Sequence, residues 1–374
     1  MKQINIAFCN RPSYNNPIGG DAIQMLKTKE WLENLYGLQI SIITNPHELT
    51  ENFDIIHVFN FATYEITNGF MEKAHNLGIP IVSSCIYWDY SYAIPPLHYL
   101  LLGYPTHISF KTVCFYRFLY QNITSFLKKP IGVSHEFRNY VRKFINYSDY
   151  ILPNSIEEGK LLLQFAGLKK EDKIRVIYNG TEFQNNEILS HNDFFSKYNI
   201  PENYVLQVGR IEYIKNQLNL LYALKDQPQI PIVFIGQTSD KKYANKLHNL
   251  AKQRGNVYFF NKIPHHEISS FYHYAAIHVL LSLRESPGLV SLEAASEGCP
   301  IVISSKEFLP KDTYFPNASY SVNPLKITEI KEILLKAYQE KKSTIIDNSK
   351  FSWSNVAKQT YQVYEEILKT KKEE

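Results

Sequence analysis

The sequence predicts an α/β fold with two doubly wound domains in one chain of 374 residues. This length exceeds one average domain and suits two domains of about 180 residues each. In both halves, short apolar runs alternate with stretches of helical periodicity, and a polar, asparagine-rich stretch at 183–201 separates the halves. Such alternation is typical of a parallel sheet covered by helices on both faces, where ligands bind beyond the carboxyl ends of the strands.

The elements of the first half follow from these patterns in chain order. Short apolar runs bounded by turn residues predict strands at 4–8, 39–44, 54–59, 80–85, 150–153 and 174–178. Apolar residues at helical spacing predict helices at 21–36, 64–77, 134–146 and 155–165. Gly78 and Gly167 follow the second and fourth of these helices, as expected for glycines that end a helix.

The second half repeats the pattern. Its predicted strands are 204–208, 232–235, 257–260, 278–281 and 301–304, and its predicted helices are 216–225, 241–254, 265–274 and 288–297. A last helix at 352–369 is followed by a charged tail. We therefore predict a Rossmann-like N-terminal domain at 1–183, with an insertion at about 90–133, and a Rossmann-like C-terminal domain at 184–351. Residues 352–374 would hold the last helix, crossing back to the N-terminal domain, and the tail.

Composition excludes several classes of protein. The net charge of +4 is too small for a nucleic-acid-binding protein, and 44% hydrophobic residues are normal for a globular chain. No apolar run approaches the roughly 18 residues that span a bilayer, and the N-terminus lacks a signal-peptide pattern. The cysteines Cys9, Cys85, Cys114 and Cys299 form no CxxC pair, so zinc and redox motifs are absent. A cytoplasmic protein is the expectation.

The segment at 284–300 carries the sharpest functional signal. Glu285 and Glu293 stand eight positions apart, with Ser286, Pro287 and Gly288 after the first glutamate. We interpret this order as a helix start, with Ser286 as N-cap, Pro287 at the first helical position, and Gly288 admitting a ligand to the backbone.

A helix start of this kind can bind an anion. Free N–H groups and a partial positive charge at the helix N-terminus favour phosphate at the backbone of Gly288, Leu289 and Val290. Eight helical residues rise about 12 Å, roughly the span from sugar to ribose in a nucleotide sugar. Glu285 would then reach sugar hydroxyls and Glu293 the ribose. The alternative is a capped amphipathic helix whose glutamates are merely exposed.

Two further loops stand where ligands are expected. Gly19 and Gly20 follow the first strand and permit close backbone approach to a phosphate or sugar, although a plain turn explains them equally. Gly209 and Arg210 end the first strand of the second half, and Lys215 precedes the next helix. Two cations there suit a diphosphate and its departure as a leaving group; the alternative is two surface cations.

Taken together, these residues resemble the retaining glycosyltransferases of family 4, in the glycosyl transferases group 1, which have the GT-B fold. In the second half the resemblance rests on Gly209-Arg210 with Lys215, on Glu285-Ser-Pro-Gly-Leu-Val-Ser-Leu-Glu293-Ala, and on Gly298-Cys-Pro300. In the first half it rests on Gly19-Gly20, Pro153-Asn154-Ser155 and Tyr178-Asn179-Gly180. It spans nearly the whole chain and is more specific in the second half.

The resemblance implies two Rossmann-like domains that face each other across a cleft, with the donor in the C-terminal domain and the acceptor in the N-terminal one. It also implies that Arg210 and Lys215 bind the donor diphosphate, that Glu293 binds the ribose, and that Glu285 contacts the donor sugar. No metal and no cofactor are implied, since the cations and the helix terminus neutralise the diphosphate.

One position departs from the family. Many members carry a histidine after the fourth strand of the first domain, where this chain has Trp88 followed by Asp89. Asp89 would orient an acceptor or donor hydroxyl and is our further catalytic candidate, and Trp88 would stack on a sugar face. The alternative is a core tryptophan and a loop-capping aspartate.

The insertion at 90–133 is aromatic and basic, with no acidic residue. Such a segment suits a peripheral contact with the inner face of a membrane, or a lipid-diphosphate acceptor. The alternative is a helical insertion that packs on the first domain.

We therefore predict a retaining, metal-independent hexosyltransferase. It would move sugar from a nucleotide diphosphate sugar, of UDP or GDP type, to a hydroxyl of a glycan or lipid-linked glycan in bacterial surface polysaccharide synthesis. Two alternatives remain: a nucleotide-sugar epimerase or hydrolase on the same fold, and a non-catalytic sugar-nucleotide-binding partner in a glycan assembly complex.

Overall fold

The computed structural model describes residues 4–15, 19–89, 135–181, 188–347 and 349–373. These residues form two compact units. The first unit contains the described residues up to Asp89, those from 135 to Thr181, and the C-terminal stretch from Ser349. The second unit contains residues 188–347.

The first unit is built on a five-stranded parallel sheet. Its strands are β1 (Asn5–Cys9), β2 (Gln39–Ile43), β3 (Ile55–Phe59), β4 (Ile81–Ser84) and β5 (Tyr150–Ile151). Its helices are α1 (Gly20–Tyr36), α2 (Tyr64–Asn76), α3 (His135–Tyr147) and α4 (Ile156–Ala166), and the C-terminal helix, labelled α12 below, belongs to the same unit. The strand order β2-β1-β3-β4-β5 reverses direction between β1 and β3, which is where doubly wound sheets of this order bind ligands.

The second unit is built on a six-stranded parallel sheet. Its strands are β6 (Val205–Val208), β7 (Ile232–Ile235), β8 (Val257–Phe260), β9 (Ile277–Leu280), β10 (Ile301–Ser304) and β11 (Tyr320–Val322). Its helices are α5 (His191–Tyr198), α6 (Gln217–Ala223), α7 (Lys241–Arg254), α8 (His265–Tyr274), α9 (Leu289–Ser296), α10 (Lys311–Tyr314) and α11 (Ile327–Glu340). The order β11-β10-β9-β6-β7-β8 is the Rossmann order, with its reversal between β6 and β9.

The strands are mostly apolar and largely buried because helices cover both faces of each sheet. All residues of β3, β4, β7, β9 and β10 are buried, as expected for parallel strands between helical layers. The predicted fold class is confirmed for each unit. The thiols of Cys9, Cys85 and Cys299 are buried, as their predicted positions in or beside strands indicated, and burial raises the pKa of Cys299 to about 12.

The C-terminal helix, α12 (Trp353–Glu373), packs on α1 of the first unit. The strand-like bridge between Thr181 and Ser352 leads into it. A Cβ atom on Gly180 would lie 2.7 Å from the backbone nitrogen of Trp353 and 2.9 Å from its Cδ2 atom. Glycine at 180 is therefore required for this close approach.

Several local predictions are wrong. The expected strand at 174–178 is only a bridge from Ile174 to Ile151, because β5 has two residues and offers little to pair with. The stretch 183–201, interpreted as a linker, contains α5, whose N-cap is Ser190. The charged tail continues α12 to Glu373, since lysine and glutamate are good helix formers. The elements β11, α10 and α11 were not predicted.

The insertion at 90–133 lies outside the described residues. Within the described ranges, no helix combines the length and the apolar character that crossing a bilayer requires.

Candidate functional site

The candidate donor site lies at the strand reversal of the second sheet. Strand β6 ends at Val208 and runs into Gly209 and Arg210, and its neighbour β9 ends at Leu280, ahead of the segment that holds Glu285 and α9. Two motifs far apart in the sequence therefore meet at one sheet edge, because β6 and β9 are hydrogen-bonded neighbours. This is the position where a Rossmann sheet opens a crevice for a nucleotide.

The loop after β6 is pressed against the end of β7. The N–H of Gly209 donates to the carbonyl of Ile235 at 2.9 Å, and the N–H of Ile211 donates to the carbonyl of Gln237, also at 2.9 Å. Gly236 faces this loop so closely that a Cβ atom there would lie 2.1 Å from the Gly209 oxygen. Gly236, with φ of +153°, is thus required by contact as well as by conformation.

Lys215 and Glu285 form an ion pair at the centre of this edge, with side chains only 17% and 11% exposed. Arg210 lies at the rim, 40% exposed, and its Nη2 atom is 3.0 Å from Oε1 of Glu212. The side chains of Lys215 and Glu285, two of the predicted site residues, are therefore in direct contact. A partly buried lysine beside a carboxylate is a cation held at a fixed position, which suits a diphosphate.

Asn216 anchors the loop that carries Lys215. It adopts a left-handed conformation, φ +56°, and its buried amide donates to the carbonyls of Leu281 (3.0 Å) and Pro324 (2.9 Å). Gln207 donates to the carbonyl of Lys215 at 2.7 Å. These bonds tie the lysine loop to the segments that follow β9 and β11, and to β6 itself. The sequence analysis placed Asn216 only at the start of the next helix and gave Gly236 no role, although Gly236 follows its apolar strand just as Gly209 follows β6.

The helix after Glu285 begins later than predicted. Helix α9 starts at Leu289, and its N-cap is Gly288, with φ +88° and ψ +64°. The assignment of Ser286 as N-cap and Pro287 as first helical residue is wrong, because the left-handed backbone at Gly288 interrupts any helix that would begin before it. The first N–H groups of a helix have no intrahelical acceptor, and phosphate binding at the backbone of Gly288, Leu289 and Val290 stays a prediction.

Glu293 lies in the second turn of α9 and accepts a hydrogen bond from the hydroxyl of Tyr272, O to O 3.2 Å. Burial, and then the negative charge of Glu293, raise the pKa of Tyr272 well above its ordinary value. The phenol therefore stays protonated and orients the carboxylate. Two residues earlier, the Ser291 hydroxyl lies 3.3 Å from Nε2 of the fully buried His278.

Two buried histidines predict that the protein is sensitive to acid. Burial lowers the pKa of His57, in the first unit, and of His278, in the second, to about 3, whereas an unfolded histidine titrates near 6.5. Between these values the unfolded chain binds more protons. The two histidines therefore leave the free energy of unfolding unaffected above about pH 6.5. As the pH falls from there toward 3, each histidine lowers the free energy of unfolding by about 1.4 kcal/mol per pH unit.

We expect urea midpoints to fall between about pH 7 and pH 5. His278→Gln should make the pH dependence of the second unit shallower. The control His265→Gln, at an exposed position of the same unit, should leave it unchanged. Equal midpoints for the wild-type protein at both pH values would contradict the assignment of neutral buried histidines.

In the first unit, the predicted glycine loop lies at the strand reversal between β1 and β3. Gly19 is the N-cap of α1, and Gly20 is its first residue. Beside them, Arg11 forms an ion pair with Asp21, which also accepts from Nδ2 of Asn60 at 3.1 Å. This places Gly19 and Gly20 at a ligand-binding edge of their own sheet, and their role toward a donor stays a prediction.

Trp88 and Asp89 follow β4 of the same unit. Trp88 is 2% exposed, and Asp89 is half-buried. The preceding loop is held by Glu158, a fully buried carboxylate of α4 that the sequence analysis missed. The functional roles of Trp88 and Asp89 stay predictions.

Residues 190–348 match the family model described as "Glycosyl transferases group 1". This stretch is therefore similar to that group of enzymes. It contains Gly209, Arg210, Lys215, Glu285 and Glu293, so the match and the candidate donor site concern the same unit.

Two curated relatives of this chain are glycosyltransferases by name. An uncharacterized glycosyltransferase of Methanocaldococcus jannaschii is 29% identical over 215 residues, which are 52% of this chain and 54% of the relative. The O-antigen chain mannosyltransferase B of Escherichia coli is 23% identical over 246 residues, 59% of this chain and 64% of the relative. The chain thus spans less than two thirds of the length of these relatives.

Among solved structures, HepE of Anabaena in complex with UDP and glucose aligns with a TM-score of 0.68 at 15% identity, covering 97% of this chain and 100% of that protein. At this identity the likeness shows the fold alone. It confirms the predicted GT-B fold.

Proposed function

We propose that this protein transfers a sugar from a nucleotide diphosphate sugar to a hydroxyl of a glycan or lipid-linked glycan, with retention of anomeric configuration. The observation that carries the proposal is the partly buried ion pair of Lys215 and Glu285 at the strand reversal of the second sheet. A cation, a carboxylate and a helix N-terminus at one sheet edge provide the three kinds of contact that a diphosphate sugar needs.

Each part of the donor has a partner in this proposal. Lys215 binds the diphosphate with Arg210, and the N–H groups at the start of α9 add a partial positive charge. Glu285 accepts hydrogen bonds from the sugar hydroxyls and stabilises positive charge on the anomeric carbon. Glu293, oriented by Tyr272, accepts from the ribose hydroxyls.

The chemistry that we propose takes place on one face of the sugar. The bond from the anomeric carbon to the diphosphate oxygen breaks, and the acceptor oxygen forms its bond to that carbon on the same face. The acceptor proton passes to the departing diphosphate oxygen. Lys215 and Arg210 stabilise the negative charge of the leaving group, so no carboxylate nucleophile and no metal ion is required.

We propose the biological setting from the name of one relative. One relative acts on the O-antigen chain, which favours synthesis of a bacterial surface polysaccharide on the cytoplasmic side of the membrane. Asp89, which is half-buried, is our candidate for contact with the acceptor, because a carboxylate can orient a hydroxyl. Trp88 is 2% exposed and offers no accessible ring face for stacking on a sugar, so its burial favours the alternative of a core tryptophan.

The donor site is tested by thermal stabilisation with a panel of nucleoside diphosphates and nucleotide sugars. We expect one base to stabilise the protein selectively, with the same shift in magnesium and in a chelator. Glu293→Ala should remove most of this shift because the ribose hydroxyls lose their acceptor, whereas Glu332→Ala, at an exposed position of α11, should retain it. A panel without any shift, or a shift that Glu293→Ala leaves intact, would contradict the assignment.

The reaction is tested with the donor identified in this way. Transfer predicts that donor consumption depends on an added glycan or lipid-linked acceptor. The product should keep the anomeric configuration of the donor, as nuclear magnetic resonance would show. Donor consumption without acceptor would identify an epimerase or hydrolase instead, and binding without turnover would identify a non-catalytic partner.

A further inference from the structure

Glu158 of α4 is a buried carboxylate that receives donors from two segments of the first unit. Its Oε1 atom accepts from the N–H of Tyr87 at 2.7 Å and from the thiol of Cys85 at 3.0 Å. Its Oε2 atom accepts from the N–H of Asn154 at 3.1 Å. The side chain is 0% exposed, so its negative charge, expensive to bury alone, is satisfied by donors within the protein.

The loop that Glu158 holds is strained. Ile86 lies between the two loop donors and has φ of +48°. Among the described non-glycine residues with positive φ, five are asparagines, which tolerate the left-handed region, and Ile86 is the β-branched one. A β-branched residue keeps such a conformation only where its surroundings enforce it, and strain of this kind concentrates at functional sites.

The hydrogen bonds from the loop at 85–87 to Glu158 form a clamp on that loop. This clamp continues through a chain of buried amides. Asn154 Oδ1 accepts from Gln24 Nε2 at 2.8 Å, and Gln24 Oε1 accepts from Asn179 Nδ2 at 3.1 Å. All three side chains are buried. Gln24 belongs to α1, which begins at Gly20. The stretches Pro153-Asn154-Ser155 and Tyr178-Asn179-Gly180, which the sequence analysis matched without a role, thus supply two links of one network to Glu158.

We propose that Glu158 is a positioning residue for the transfer reaction. By holding Cys85 and Tyr87 it fixes Ile86 in the left-handed conformation, and this conformation sets where Trp88 and Asp89 project. This inference rests on the proposed function, since it assigns Asp89 a task at the acceptor. The amide chain from Gln24 to Asn154 fixes the other oxygen of the carboxylate.

The first test is Glu158→Gln. Glutamine keeps the size of the side chain but has one acceptor oxygen, so either Tyr87 or Asn154 loses its partner. We expect kcat to fall by about a hundredfold, as for a misplacement of about 1 Å at a reacting group. The affinity for the nucleoside diphosphate, held in the second unit, should stay unchanged. The control Glu171→Gln, at an exposed glutamate of the same unit, should retain wild-type kcat.

A second readout does not require activity. In the wild-type protein Cys85 is buried, and its thiol donates to Glu158. Loosening the loop should expose this thiol. We expect alkylation of Cys85, followed by mass spectrometry of its peptide, to accelerate at least about tenfold in Glu158→Gln, the population change that one lost hydrogen bond to a charged group gives.

A second substitution that restores kcat distinguishes a loss of positioning from a general loss of structure. Asparagine tolerates the left-handed conformation better than isoleucine, so Ile86→Asn lowers the demand on the clamp. In the Glu158→Gln background it should restore kcat by about tenfold, whereas in the wild-type background it should change kcat little. If Glu158→Gln does not fold, Glu158→Asp, whose shorter side chain cannot span both N–H groups, is measured by the same criteria.

Each of the following results would overturn the inference. These are wild-type kcat in the folded Glu158 variant, an alkylation rate of Cys85 that does not change, and absence of rescue by Ile86→Asn. Loss of nucleotide affinity in parallel with kcat would also overturn it, because a general loss of structure would then explain the defect. Failure of the proposed function is distinct: the wild-type protein itself would show no transfer, while the alkylation result would still report on the clamp.

Discussion

Replacing Lys215 by methionine should lower the rate of sugar transfer by about a thousandfold, because one fixed charge at the leaving group contributes about 3–4 kcal/mol to the transition state. Methionine keeps most of the volume of the lysine stem and removes its charge. The variant should also bind the nucleoside diphosphate more weakly. Steady-state kinetics with the identified donor and titration calorimetry measure the two effects separately.

The ion pair with Glu285 explains why the effect should be large. Both side chains are mostly buried, so the field of Lys215 is screened less than that of a surface lysine. Arg210 is more exposed and pairs with Glu212 at 3.0 Å, so Arg210→Met should have the smaller effect.

A matched control is available in the same unit. Lys331 pairs with Asp226 at the surface, where the two side chains are 36% and 61% exposed. Lys331→Met removes the same charge from a solvated pair, which contributes little to stability and nothing to donor binding. A folded Lys215→Met protein that turns over as fast as Lys331→Met would show that Lys215 is not at the diphosphate.

Replacing Gly236 by alanine should destabilise the second unit by about 2–4 kcal/mol, through overpacking and an unsuitable φ. The new methyl group would lie 2.1 Å from the Gly209 oxygen and 2.6 Å from the Gly209 carbonyl carbon. Both atoms belong to the backbone just after β6, which is hydrogen-bonded to the end of β7. They therefore cannot rotate away as a side chain would. The Gly209–Arg210 peptide must therefore move, which should also weaken nucleotide binding.

Gly255→Ala isolates the steric part of this effect. Gly255 also has positive φ, +75°, but a Cβ atom there would meet no atom within 4 Å. We expect Gly255→Ala to cost about 1–3 kcal/mol from conformation alone, because φ +75° with ψ +170° is a region nearly confined to glycine, and to leave nucleotide affinity unchanged. Urea unfolding of both variants measures the difference. If Gly236→Ala unfolds no more easily than Gly255→Ala, the contact between the two strand ends is not as close as the structure shows.

The signature from Glu285 to Glu293 shows how far local reasoning reaches. The glutamates and Gly288 were found because their spacing and residue types carry information by themselves. The start of the helix was misplaced, because preferences of serine and proline were taken as decisive. The structure gives Gly288 the left-handed conformation and binds the N–H of Glu285 to the carbonyl of Phe308 at 2.8 Å, and this long-range bond was invisible in the sequence.

The residues that hold the site in place were missed for the same reason. Asn216, Gly236 and Glu158 carry no motif, and each matters through a contact with a distant segment. Of the three residues, Gly236 was the easiest to predict from the sequence, because a glycine directly after an apolar strand indicates a close approach of the backbone. Glu158 looked like an ordinary acidic residue in the first turn of a helix, and only its burial shows otherwise.

The sequence by itself determined the fold class, the alternation of strands and helices, and the order of the glycine, cation and glutamate motifs, because periodicity and capping act over a few residues. The tertiary structure decided which strand ends lie side by side. Strands β6 and β9 are separated by two strands in the chain and are neighbours in the sheet. Pairing depends on burial summed over the whole unit, so the meeting of Lys215 with Glu285, and of Glu158 with the loop after β4, follows only from the folded chain.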